Sequence, residues 1–127
     1  MFGDTWRWAG RYRTRDTNIG AAWERIPERV RELCGDASYQ RAHGVYPVDA
    51  FVARFHHRLV QIHPFPNGNG RHARLIADLL LADAGRAAFT WGAADLGADG
   101  GARAAYLAAL RAADGGDYDP LLEFVRS

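Results

Sequence analysis

Apolar residues recur at every third or fourth position after Pro47, a spacing typical of an amphipathic helix. The helix is predicted to begin near Pro47, because proline suits the first turn of a helix. It should end by His63, because Pro64 disfavours helical backbone in the residue before it. The apolar positions that define this helix are Val48, Phe51, Val52, Phe55, Leu59 and Ile62.

A second helical pattern begins near Asn69 or Gly70 and extends to Gly85, a residue type that commonly follows a helix end. Its apolar residues lie on nearly all sides, which predicts a central, buried helix. Three further helices are predicted from Pro27 to Tyr39, from Ala102 to Ala113, and from Pro120 to the end.

The segment from Arg11 to Ile26 has a different pattern and predicts a short β-hairpin. Its predicted strands are Arg11 to Thr14 and Ala22 to Glu24, and the turn-forming residues Asp16 to Gly20 lie between them. Because two strands alone are marginally stable in water, the hairpin must pack on the helices. The predicted fold is therefore all-α, or mainly helical, with a small β-hairpin flap.

Length, charge and cysteine content restrict the classes of protein to consider. A chain of 127 residues is expected to form one domain. Its formal net charge of +1 gives no electrostatic case for binding nucleic acid or a membrane. Asp4 and Arg7 interrupt any apolar leader at the start. Cys34 is the only cysteine, so we expect a reducing compartment and a cytoplasmic location.

The stretch HPFPNGNGRHAR, from His63 to Arg74, connects two predicted helices. Gly68 and Gly70 permit positive φ, so successive amide groups can converge on an anion beside the positive end of the next helix. The chain has 16 arginines and no lysine, so a cationic side chain that contacts phosphate must be an arginine such as Arg71. The pKa of a histidine suits a general base near neutral pH. The stretch therefore predicts binding of a nucleotide polyphosphate and deprotonation of a hydroxyl.

Two other interpretations of these residues stay open. The sequence GNGRHA, which begins at Gly68, matches the G-x-G-x-x-A dinucleotide fingerprint. That motif requires a preceding strand, whereas a helix is predicted here. A zinc site would use several histidines, yet neither an HExxH motif nor a cysteine pair accompanies His56, His57, His63 and His72.

The stretch from His63 to Arg74 resembles the signature of the Fic family, H-x-F-x-(D/E)-G-N-G-R-x-x-R. Every fixed position matches except the acidic one, where this chain has Asn67. The segment from Trp8 to Gly20 is similar to the one that supplies the flap of that family. Residues Phe89 to Gly92 and Ala112 to Tyr118 make the chain look most like the group catalogued as mobile mystery protein B.

The resemblance implies a Fic-like helical domain over residues 1–127 whose β-hairpin flap covers the active-site loop and docks a target protein. Most members transfer AMP from ATP to a Ser, Thr or Tyr hydroxyl of a protein, with Mg²⁺ or Mn²⁺. The implied partners are a nucleotide and a target protein, with no nucleic acid and no membrane. The implied docking residues of the flap are Thr17, Asn18, Ile19 and Gly20.

The family signature also assigns roles by position. His63 would be the general base, and Arg71 would hold the terminal phosphates during transfer. Phe65 would anchor the loop in the core, and Asn67 would occupy the metal-ligand position. Arg74 would pair with the γ-phosphate or with an inhibitory glutamate. The anion hole for the phosphates would comprise Gly68, Asn69 and Gly70.

Two departures from the family pattern concern regulation. The inhibitory pattern (S/T)-x-x-x-E-(G/N) does not occur in the 127 residues, which leaves a separate inhibitory or antitoxin chain as a partner. Family members usually have helices before the Trp8 segment, so either the sequence starts inside the domain or a partner supplies them. Two other functions stay open: a scaffold that binds nucleotide or protein without efficient transfer, and an enzyme that uses another diphosphate donor or removes AMP.

Overall fold

The computed structural model describes residues 12–17, 20–93 and 100–127. Within these ranges the chain is mainly helical, as predicted, and all the predicted helices are present with ends displaced by a few residues. None of the described helices is long and apolar enough to cross a membrane. The helices are α1 (Ile26–His43), α2 (Val48–Ile62), α3 (Asn69–Asp83), α4 (Gly101–Asp114) and α5 (Asp119–Val125), with short 3₁₀ helices at Trp23–Arg25 and Trp91–Ala93.

Helix α2 lies at the centre of the packing, because it contacts α1, α3 and α5. The larger apolar cluster joins α2 and α3 to α4 and α5 through residues such as Val52, Leu81 and Leu121, all fully buried. The smaller cluster joins α1, α2 and α3. Because both clusters contain residues of α2 and α3, the end of α2 and the start of α3 are fixed relative to each other. The smaller cluster comprises Ile26, Leu33, Leu59, Ile62, Ala73 and Ile76.

The predicted hairpin is not shown by the structure. Residues 12–17 and 20–22 contain no strand, while Arg11, Asn18 and Ile19 lie outside the described residues. Trp23 and Glu24 belong to a 3₁₀ helix that leads directly into α1, so their assignment to a second strand is wrong. Their backbone hydrogen bonds are those of a turn and not of a strand: the N–H of Trp23 donates to Oδ1 of Asp16 at 2.9 Å, and the N–H of Arg25 donates to the carbonyl of Ala22 at 2.9 Å. Just before this turn, the N–H of Ala21 donates to the carbonyl of Ile62 at 3.2 Å, at the end of a helix.

Helix α3 is not buried on all sides, which corrects a second prediction. Leu75 and Leu79 are 42% and 38% exposed, whereas Ala73 and Ala77 on the opposite face are fully buried. The apolar pattern was misleading because an exposed leucine cannot be told from a core leucine by residue type alone. Gly85 follows the helix end with φ of 72°, in the position that the sequence predicts.

Candidate active site

His63 ends α2 in the left-handed conformation, with φ of 52° and ψ of 60°. Its backbone N–H donates to the carbonyl of Leu59 at 3.2 Å, and its imidazole is half-buried. A residue other than glycine rarely adopts this conformation, and it persists only where neighbouring groups hold it. The backbone around His63 must therefore be fixed by contacts from elsewhere in the chain.

The segment that precedes α1 supplies those contacts. The N–H of Arg13 donates to the carbonyl of Pro64 at 3.0 Å, directly after His63. Gly20, with φ of 103°, lies so close to His63 that a Cβ added there would be 2.6 Å from the histidine Cβ. The absence of a side chain at Gly20 therefore makes room for the histidine.

We expect Gly20→Ala to displace His63 while the domain remains folded. The new methyl group would collide with the histidine Cβ, and its backbone conformation disfavours residues with a side chain. NMR signals of the His63 imidazole should shift. Gly44→Ala is the matched control, because Gly44 also has positive φ (58°) but has open space around it. Gly44→Ala should lose roughly 1 kcal/mol of stability from backbone strain, and Gly20→Ala should lose more because of the collision. Unchanged His63 signals in Gly20→Ala would contradict the contact.

The electrostatic surroundings of His63 favour its neutral form. Burial lowers the pKa of the imidazole below its ordinary value, and the positive charge of Arg13 lowers it further. Because a general base acts in its unprotonated form, this environment keeps the histidine competent at neutral pH.

The loop after His63 is closed by one side chain. The N–H of Phe65 donates to Oδ1 of Asn69 at 2.8 Å, and Nδ2 of Asn69 donates to the carbonyl of Phe65 at 2.8 Å. Phe65 is 2% exposed, and its ring packs on the ring of His72 at a centroid distance of 5.0 Å. The buried Asn69 amide is therefore engaged with the loop backbone, which leaves the backbone N–H of Asn69 as the group suited to an anion.

The start of α3 has the geometry of an anion-binding site. Gly68 precedes the helix in the left-handed conformation, with φ of 72°. Its carbonyl accepts from the N–H of His72 at 3.0 Å, so the N–H groups of Asn69, Gly70 and Arg71 precede the helical hydrogen-bond ladder. Such N–H groups, together with the positive end of the helix dipole, attract phosphate oxygens.

Gly70 differs from the prediction, because it is helical and does not have positive φ. A Cβ at Gly70 would lie 3.2 Å from Nη1 of Arg74. Its lack of a side chain therefore gives room to the Arg74 guanidinium instead of permitting a second left-handed turn.

The two arginines of the loop differ in their surroundings. Arg71 is exposed, and its Nη2 lies 3.8 Å from the position that a Cβ on Gly68 would occupy. Arg74 is half-buried, and its guanidinium carbon lies 5.9 Å from the centroid of the Tyr106 ring. Arg71 therefore lies beside the start of α3, and Arg74 lies between α3 and α4.

A buried polar pair beneath Arg74 has no counterpart in the sequence-based prediction. The hydroxyl of Tyr106 and Nε2 of His56 are 2.7 Å apart, and both residues are buried. Burial lowers the pKa of His56 to about 4, so the ring is neutral at physiological pH and adds no charge below the arginine. The available signal was that a tyrosine at a core position of α4 needs a partner for its hydroxyl.

Asn67 is exposed on the loop and offers one neutral carbonyl oxygen. The part of the chain that the structure describes contains no group of three or more His, Cys, Asp or Glu residues placed to hold a metal. His57 instead pairs with Asp114 at 2.8 Å. These donors do not fit a magnesium site that the protein forms alone, because Mg²⁺ prefers carboxylate and phosphate oxygens.

The flap residues are only partly described. Thr17 and Gly20 are exposed, whereas Asn18 and Ile19 lie outside the described residues. The docking of a target segment on this flap therefore stays a prediction.

Comparison with known proteins gives several similar chains. Protein adenylyltransferase fic-1 of Caenorhabditis elegans is 32% identical over 120 residues, which cover 92% of this chain and 22% of that protein. A solved structure of Fic-1 from C. elegans superposes with a TM-score of 0.73 at 28% identity, covering 98% of this chain and 36% of that chain. A Fic-domain-containing signalling protein from Bacteroides thetaiotaomicron superposes with a TM-score of 0.70 at 23% identity, covering 89% and 43%.

The chain spans about a fifth of the length of its two relatives from Caenorhabditis elegans and Caenorhabditis briggsae. The finer resemblance to mobile mystery protein B stays a prediction. The sequence profile of the Fic/DOC family matches residues 1–81, which is more than half of the chain and includes the whole loop from His63 to Arg74. The chain therefore belongs to the Fic/DOC family.

Proposed function

We propose that the protein is a nucleotidyltransferase that moves AMP from ATP to a Ser, Thr or Tyr hydroxyl of a target protein. The observation that carries this proposal is the placement of His63, at the end of α2, across a short closed loop from the start of α3. The names of its relatives support it, since they are called protein adenylyltransferases. The match covers only 22% of the first of those relatives, so the activity of the whole relative is proposed for this chain and not transferred to it.

Phosphate binding would use the start of α3. The N–H groups of Asn69, Gly70 and Arg71, with the helix dipole, would hold the α- and β-phosphates. The exposed Arg71 guanidinium would bind the terminal phosphates through its two-pronged geometry. Arg74, held between Gly70 and Tyr106, would complete the γ-phosphate contact.

In the transfer step, neutral His63 would accept the proton of the target hydroxyl. The hydroxyl oxygen then forms a bond to the α-phosphorus, and the bond from that phosphorus to the oxygen leading to the β-phosphate breaks. Pyrophosphate leaves with the bonding electrons, and the proton stays on His63. The low pKa of His63, caused by burial and by the Arg13 charge, keeps it ready for this step.

Asn67 and the flap complete the proposal. Mg²⁺ or Mn²⁺, bound mainly by phosphate oxygens and water, would neutralise phosphate charge, with the Asn67 carbonyl as one neutral ligand. The flap residues would bind an extended target segment by backbone hydrogen bonds. They are Thr17, Asn18, Ile19 and Gly20.

Asn67→Asp should lower the Mg²⁺ concentration needed for half-maximal transfer. Aspartate has nearly the shape of asparagine but gives a charged oxygen ligand, which a hard cation prefers. A magnesium titration of transfer rate in the two proteins measures the difference. Asn67→Ala, which removes the oxygen, should require more Mg²⁺ than the native protein. An unchanged metal requirement in both variants would show that this position does not contact the metal.

The proposed donor is tested by a panel of nucleotides. The protein is incubated with ATP, GTP, UTP or CDP-choline in the presence of Mg²⁺ or Mn²⁺, and intact-mass spectrometry follows added groups on the protein and on added candidate targets. The proposal predicts an added AMP with ATP. Addition of a group from GTP, UTP or CDP-choline would show that the donor is not ATP. Release of AMP from an adenylylated protein would show that the enzyme removes AMP. If calorimetry shows nucleotide binding but no group is added to any protein, the alternative function, a scaffold without efficient transfer, is favoured. The neutral side chain at Asn67, in the metal-ligand position, also favours that alternative.

A further inference from the structure

We infer that Arg13 is a positioning residue for the candidate general base, because its buried guanidinium fixes the backbone at His63 and joins it to the segment that leads into the flap. The catalytic part of this inference rests on the proposed function. The positioning part rests on contacts of the described residues alone.

The Arg13 guanidinium donates only to main-chain carbonyls among its described hydrogen-bond partners. Its Nε donates to the carbonyl of His63 at 2.6 Å, and its Nη2 donates to the carbonyl of Ile62 at 3.2 Å. Nη2 also donates to the carbonyl of Ala21, and Nη1 donates to that of Arg15 at 2.9 Å. One side chain therefore joins both sides of the flap segment to the last turn of α2 and to His63 itself.

These contacts meet a need that the end of α2 creates. The last carbonyls of a helix have no intrahelical donor, and a positive charge near them is favoured by the helix dipole. A left-handed residue such as His63 directs its carbonyl away from the helix, where the Arg13 Nε–H meets it. The guanidinium thus supplies donors to two successive carbonyls, which only a planar group with several N–H bonds does well.

Ion pairing does not explain the burial of Arg13. The residue is 3% exposed, and Nη1 is 3.9 Å from Oδ1 of Asp16, whose side chain is 68% exposed. A contact at that distance to a solvated carboxylate is weak. The free-energy cost of burying the Arg13 charge is therefore offset mainly by its hydrogen bonds to main-chain carbonyls, which include the carbonyl of His63.

The charge of Arg13 also acts on the His63 ring. It adds to the effect of burial in lowering the pKa of the imidazole. The other charged or titratable groups on the neighbouring α3 are Arg71, His72, Arg74, Asp78 and Asp83. Arg29 of α1 and Arg58 of α2 line the space beside Gly20 and Ile62. All of these stay the same in every variant below. A difference in His63 titration between those variants therefore reports the change at Arg13.

Two substitutions separate the charge of Arg13 from its geometry. Arg13→Gln removes the charge and most donors, whereas Arg13→Lys keeps the charge but lacks the fork. Each variant is first checked for folding by circular dichroism and thermal melting. Arg15→Gln is the matched control, because Arg15 is an exposed arginine on the same segment. If Arg13→Gln does not fold, Arg13→Lys carries the test.

NMR titration of the His63 imidazole gives the first readout and needs no activity. The pKa of His63 should rise in Arg13→Gln, because the nearby positive charge is gone, and should stay near the native value in Arg13→Lys and Arg15→Gln. Hydrogen exchange at the His63 amide should become faster in both Arg13 variants. A folded Arg13→Gln protein with native titration and native exchange would overturn the inference.

Transfer kinetics give the second readout. In both Arg13 variants kcat should fall by roughly 10- to 100-fold, since small displacements of a catalytic group have effects of this order. ATP affinity should stay within about twofold, because the phosphate contacts lie on α3. The acidic limb of the pH profile should move to higher pH in Arg13→Gln only. An equal loss of ATP affinity and kcat would show a general structural role instead. If the native protein transfers nothing, the proposed function fails, while the NMR titration still decides the positioning role.

Discussion

His63→Ala is expected to lower the rate of AMP transfer by about 10²–10⁴-fold, the usual effect of losing a positioned general base. The affinity for ATP should remain nearly native, because the phosphates are proposed to bind the start of α3 and not the imidazole. Single-turnover transfer rates and calorimetric ATP binding, measured on the same preparations, separate these two effects.

His43→Ala is the control for this experiment, because His43 is an exposed histidine in the last turn of α1 and should leave transfer unchanged. A His63→Ala protein that transfers within a few-fold of the native rate would remove His63 from the mechanism. A proportional loss of ATP binding would place His63 in the binding site without a role as a base.

Arg71→Ala should weaken ATP binding by roughly 10- to 100-fold, because a charge-assisted contact to phosphate contributes about 1.5–3 kcal/mol. Arg71→Lys should restore only part of the affinity, since an ammonium group cannot reproduce the two-pronged contact of a guanidinium. Calorimetric titration with ATP, ADP and AMP measures the effect. The loss should be largest for ATP, since this residue is proposed to contact the terminal phosphates.

Arg111→Ala is the control for Arg71, because it removes an exposed arginine from the end of α4. Unchanged ATP affinity in Arg71→Ala would mean that this guanidinium belongs to a solvated helix face. An equal loss for ATP and AMP would place the contact on the α-phosphate instead of the terminal phosphates.

The helices and the connection between α2 and α3 were predictable, because strong local signals mark them. Pro64 ends one helix and Gly68 precedes the next, and both act within a few residues of the chain. The second strand of the flap was not predictable from Trp23 and Glu24. The N–H of Trp23 donates to the Asp16 side chain, and the nearby Ala21 donates to the distant end of α2. No local pattern of apolar and polar residues contains these contacts.

The candidate site also has parts that the sequence predicts and parts that only the folded chain reveals. The order of His63, Gly68 and the arginines in the sequence predicts a phosphate-binding loop, and in the structure Gly68 precedes α3 in the left-handed conformation that this prediction uses. The use of the Asn69 side chain to close the loop was not predictable, because it depends on a buried hydrogen-bond pair. The contact of Arg13 with His63 joins residues 50 positions apart, so only the folded chain reveals it.

Transfer of AMP, and not of phosphate, is tested by comparing ATP labelled on the α-phosphorus with ATP labelled on the γ-phosphorus. Each is incubated with the native protein or with His63→Ala, together with candidate target proteins. We expect protein to become labelled only from the α position, with release of pyrophosphate, and this labelling to be slower by about 10²–10⁴-fold in His63→Ala. Labelling from the γ position, or bound ATP without any protein labelling, would contradict this expectation.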